Sequence, residues 1–131
     1  MTTLSLSMIT LVVPDYDEAI AFYSGVLGFS LVEDTEMAGG KRWVVVAPAG
    51  GSRILLARAA NEQQSAAVGN QTGGRVGFFL TTDNFAATYE RFRDHGVAFE
   101  EKPRSEAYGM VAVFTDPYGN RWDLIEHRKA A

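Results

Sequence analysis

The chain has 131 residues, 47% hydrophobic and 21% charged, with a net charge of −4 and no cysteine. That length carries one sizeable core or two small modules packed together, and the composition excludes general disorder. An acidic balance without a basic cluster excludes a nucleic-acid partner, and the lack of cysteine excludes disulfides and thiolate chemistry. No apolar run is long enough to span a bilayer, so the expectation is a soluble, cytoplasmic protein with no membrane partner.

Leu4 to Val13 is apolar and partly β-branched, and Pro14 stops it, which predicts a strand. Asp15-Tyr16-Asp17-Glu18 has the form of a capping box, with Asp15 accepting from first-turn amides. Ala19, Phe22, Tyr23, Val26 and Leu27 follow at the spacing of one helix face, and Gly28 supplies the left-handed residue that ends the helix. Strands are predicted over Phe29 to Glu33, Arg42 to Ala47 and Arg53 to Ala57. Module one, about residues 4–58, thus reads β-α-β-β-β.

Residues 59–74 lack periodicity and read as a linker or loop whose end, Asn70 to Arg75, offers amides and a guanidinium beside glycines. Gln71 and Arg75 are its candidate ligand-binding residues; the alternative is a solvated connection. Module two, about 75–128, repeats the pattern: a strand from Arg75 to Thr82, a helix capped by Asp83 and ended by His95-Gly96, a strand over Val97 to Glu101, and a closing hairpin. That hairpin runs Met110 to Thr115 and Arg121 to His127 around the turn Asp116-Pro117-Tyr118-Gly119-Asn120, where Gly119 and Asn120 tolerate positive φ. A constant spacing of 68 positions (15 to 83, 28 to 96) relates the halves, so an α+β fold of two tandem modules is expected.

Strand alternation identifies candidate site residues. Both faces of the first strand, and of the strand from Arg75, are apolar or small, so the face left free by the helix is covered or forms an apolar cavity. That implies a small-molecule pocket, a homodimer, or both. In the last strand Arg121, Asp123 and Ile125 share the face opposite Trp122 and Leu124. Asp123 reads either as a general base or ligand-orienting carboxylate, or as an ion-pair partner of Arg121 or Arg53. Phe79 and Met8 are assigned to the ligand face of their strands. Arg104 and Tyr108 precede a strand where a planar cation and a phenol could orient an anionic or aromatic ligand; the alternative pairs Arg104 with Glu106. Glu106 and Glu126 read as solvated, Glu101 sits near a strand end, His95 complements a helix dipole, and His127 lies on the surface.

Val12-Val13-Pro14-Asp15 through Phe29, with Asp116 to Arg121 and Asp123 to Glu126, resembles the vicinal oxygen chelate superfamily. This group includes glyoxalase I, extradiol dioxygenases, fosfomycin-modifying enzymes and bleomycin-binding resistance proteins. The resemblance implies paired modules curling into a half-barrel cleft, assembled as a homodimer. Metal-dependent members hold a divalent ion with four His, Gln or Glu side chains, and the corresponding positions here are Met8, Leu55, Gly77 and Asp123. One carboxylate does not replace such a set, so no metal or other cofactor is expected. The leading expectation is a glyoxalase/bleomycin-resistance-like protein that takes up a small organic molecule and either sequesters it or acts on it through Asp123. The alternatives are a metal-dependent lyase or dioxygenase with unusual ligation, and a purely structural dimer or interaction module.

Overall fold

The computed structural model describes residues 2–129, and the chain divides between Val68 and Gly69 into two compact units. The first contains β1 (Met8–Val13), α1 (Tyr16–Ile20) with its continuation Ala21–Val26, β2 (Ser30–Glu36), β3 (Arg42–Ala47), β4 (Arg53–Arg58) and α2 (Glu62–Ala67). The second contains β5 (Val76–Thr81), α3 (Phe85–Asp94), β6 (Ala98–Phe99), β7 (Arg104–Glu106), β8 (Gly109–Thr115) and β9 (Arg121–His127). The sheet orders, β1-β4-β3-β2 and β5-β9-β8-β6, are the same path through each β-α-β-β-β module, and β7 adds to β8. The expected α+β duplication is therefore present in the topology.

In the first unit Leu11, Val13, Val44, Val46 and Leu56 are fully buried together with Tyr23 from the helix. Asp15 accepts from the Glu18 amide at 2.8 Å and starts that helix as expected. Its second half widens to π geometry, with the Leu27 amide bonded to the Phe22 carbonyl at 2.9 Å. In the second unit Trp122 stacks on Phe78 at 4.4 Å and on Phe114 at 5.8 Å, while Phe92 from α3 meets Phe114 edge-on.

Several elements differ from expectation. β1 begins at Met8 rather than Leu4, leaving Leu4 and Leu6 exposed. The stretch 59–74 contains α2, because Asn61 Oδ1 accepts from the Gln64 amide while Gln64 Oε1 accepts from the Ala60 amide. This is a reciprocal cap built from an Asn and a Gln. The end of the stretch, from Gly69, belongs to the second unit. Asn84, not Asp83, caps α3 through the Ala87 amide. Arg104, expected to precede a strand, itself begins the short strand β7.

The turn Asp116–Asn120 forms by side-chain bonding rather than by two left-handed residues. Gly119 has φ 101°, but among the described residues positive φ is confined to glycines, so Asn120 does not use it. Instead the buried Asp116 carboxylate accepts from the amides of Tyr118 and Asn120, both at 3.0 Å, and from Asn120 Nδ2 at 2.8 Å.

Candidate functional site

Strand register builds the candidate site on the second unit. Phe79, Asp123 and Val113 form one cross-strand row, and Thr81, Ile125, Val111 and Arg104 form the next row on the same face. The opposite face carries the Phe78–Trp122–Phe114 stack. Asp123 thus points away from the aromatic core, as alternation requires. Phe79 beside it is 66% exposed, a large apolar ring left open next to a carboxylate.

Asp123 Oδ1 is buried and has no hydrogen-bond partner. Burial pushes the Asp123 carboxyl up from its ordinary value; Arg104 and Arg121 pull it down and Glu101 adds to the rise. The expected alternative of an ion pair with Arg121 is not made, and Arg53 belongs to the first unit. Arg121 Nε binds Glu100 at 2.8 Å, and its Nη1 donates to the Gly74 carbonyl.

Arg104 and Tyr108 come together near this row, but Arg104 is not free to receive a ligand. Its Nε binds Glu101 at 2.8 Å and its Nη1 binds Glu106 at 2.7 Å, so the pairing with Glu106 is made and Glu101 joins it. Hydrogen bonds to Glu101 first and Glu106 second hold Arg104 protonated beyond the usual guanidinium range, with Tyr108 contributing. Neither Glu106 nor Glu126 is a solvated acid: Glu126 Oε1 accepts from the Phe85 amide at 2.6 Å and caps α3. His95 Nδ1 donates to the Arg91 carbonyl at the end of α3, and His127 is exposed.

The remaining candidates are not members of these cross-strand rows. Gln71 and Arg75 are exposed and precede β5, whose first residue pairs with Arg121. Met8 belongs to the first unit and pairs with Arg53. Sequence reasoning also missed a groove of about 520 Å³ in the first unit, lined by Tyr16, Lys41, Trp43, Leu55, Ala57 and Arg58 among others. Its residues come from separate elements, and no local motif marks them.

A divalent metal does not fit the donor set. Met8, Leu55 and Gly77 offer no oxygen or nitrogen side chain, and among the described residues no three His, Asp or Glu side chains converge. Gly77 is the bulged residue of β5, and a Cβ there would meet the Thr72 methyl.

The family model for the glyoxalase/bleomycin resistance protein/dioxygenase superfamily matches residues 5–124. The chain belongs to that superfamily. It is 52% identical over 125 residues to an uncharacterized protein of Shewanella frigidimarina, covering 93% of each. Among solved structures it is similar to UcmS2, at 32% identity and TM-score 0.82, with 95% of this chain and 98% of that one covered. It is also similar to TnmS3, an antibiotic binding protein from Streptomyces sp. CB03234, at 28% identity and TM-score 0.78, covering 98% and 99%. This member of the superfamily therefore keeps the fold along nearly its whole length.

Proposed function

We propose that this superfamily member is a cytoplasmic, metal-independent binding protein for a small organic molecule with a flat apolar body and an N–H or O–H donor. The observation that carries the reading is the Asp123 row: a buried carboxylate oxygen without a partner, beside the exposed ring of Phe79. An unmet acceptor in an apolar wall is a standing cost that a ligand donor removes, which makes binding selective for molecules bearing that donor. The likeness to an antibiotic binding protein supports sequestration as the purpose. A homodimer belongs to the same reading, supported by the exposed Leu4 and Leu6.

The test compares 2-naphthol with 2-methoxynaphthalene, which has the same ring but no donor, by thermal denaturation. At ten times its dissociation constant a ligand adds about 1.4 kcal/mol, or about 5 °C for a domain of this size. The expected result is stabilisation by 2-naphthol alone, unchanged by a chelator and lost in Asp123→Leu. Stabilisation that needs an added divalent metal, or that survives Asp123→Leu, overturns the reading.

A further inference from the structure

The groove of the first unit has features that the Asp123 row does not explain. Its floor is apolar, made by Leu55, Ala57 and the half-buried Trp43, and its volume of about 520 Å³ falls within the range of small-molecule pockets. Its rim is cationic in a chain whose net charge is −4. The rim cations differ in one respect that matters. Arg42 is already neutralised, by Asp34 at 2.7 Å and Asp17 at 2.9 Å. Arg58 and Lys41 have no carboxylate within ion-pair distance among the described residues.

Arg58 is also held in place. Its guanidinium lies 5.1 Å from the centre of the Tyr16 ring, and its Nη2 donates to the Gly40 carbonyl at 3.1 Å. Tyr16 itself is 4% exposed, with its hydroxyl accepting from the Arg42 amide at 3.2 Å, so the surface under Arg58 is fixed. Gly40 keeps φ at 76° in the short turn Ala38–Gly40, which carries its carbonyl to Arg58. A positioned guanidinium with unused donors, at the edge of an apolar floor bearing an indole, is the arrangement that receives a planar anion.

We infer that this groove binds an amphipathic organic anion, its apolar rings against Trp43 and Leu55 and its carboxylate or sulfonate on Arg58, with Lys41 contributing charge. The inference uses first-unit residues only and stands whether or not the Asp123 row takes a ligand.

The experiment titrates the whole protein with 2-naphthoate and, in parallel, with neutral 2-naphthylmethanol, following the two indole N–H resonances by NMR. Trp43→Phe assigns them. The expected result is a saturable shift of the Trp43 resonance with 2-naphthoate, with Trp122 unmoved. Read at the Trp43 resonance, Arg58→Gln weakens 2-naphthoate about tenfold, Arg58→Lys retains most of the affinity, and 2-naphthylmethanol binds this groove weakly and equally in all three proteins. An unmoved Trp43 resonance overturns the inference. So does equal affinity of the two probes at the Trp43 resonance, or 2-naphthoate binding there that is indifferent to Arg58→Gln.

Discussion

Asp123→Leu should make the protein more stable. The Asp123 Oδ1 is buried without a partner, and leaving such an acceptor unmet costs about 1–3 kcal/mol. Leucine has nearly the same reach, places no polar atom against Val113, and gains burial of about 1 kcal/mol. The loss is the attraction to Arg104 and Arg121, which is small because Glu101, Glu106 and Glu100 already neutralise both cations. The balance favours the variant by about 1–2 kcal/mol near neutral pH. Its pH dependence has a definite sign. The folded carboxyl is raised above the ordinary 3.8, so the folded state favours the protonated form. Asp123 costs little below that value, and its cost grows as pH rises through the folded pKa. The variant's advantage should therefore be small near pH 3.8 and widen to a plateau toward neutrality. Urea unfolding of both proteins across that range measures it, and the other carboxylates cancel in the difference. A variant less stable than the parent near neutrality, or a gap that does not change with pH, would refute the reasoning.

Two further outcomes test the scaffold beneath the site. Asp116→Ala removes the acceptor of three hydrogen bonds in a buried turn and should cost about 3–5 kcal/mol, while Asp116→Asn retains one acceptor oxygen and should cost less than half as much. Equal losses by urea unfolding would mean that the turn is held by Pro117 and Gly119 rather than by the carboxylate. Glu126→Leu removes the cap from the Phe85 amide and should cost about 1 kcal/mol, with faster hydrogen exchange confined to the first turn of α3. Unchanged exchange at Phe85 would show that Asn84 caps the helix alone.

Much of the fold was legible because local chemistry marks it. Pro14, the Asp15 cap and the paired Gly28 and Gly96, with φ of 83° and 82°, bound the first strand and both helices. The misplaced cap of α3 has a physical origin in two irregularities. Sequence spacing sees the sum of insertions, not their positions. The bulge at Gly77 adds one residue to β5, so equivalent positions run 69 apart from there to the caps (15 to 84). The π-helical segment of the first helix then adds one residue on its own side, and the spacing returns to 68 at Gly28 and Gly96. Because the two irregularities cancel, a single offset looked sufficient and placed the cap on Asp83. The cap made by Glu126 was hidden for a different reason: it spans 41 positions, a distance that only the β5–β9 pairing closes.

The site was half legible on the same terms. Alternation placed Asp123 on the free face, but its lack of a partner depends on where Arg104 and Arg121 spend their donors, and that is set by β7 and by Glu100 and Glu101. Of the four positions that the resemblance assigns to metal ligands, only Asp123 carries an oxygen donor, and the structure adds how Gly77 is set in its strand. Gly77 sits in the bulge with the Thr72 methyl where its Cβ would lie, and Thr72 is held there by a 2.6 Å hydrogen bond from its hydroxyl to the Arg75 carbonyl. A side chain at position 77 would have to displace the Thr72 methyl. The bulge and the loop before it thus set the start of β5, the strand that places Phe79 opposite Asp123 and its unpartnered Oδ1.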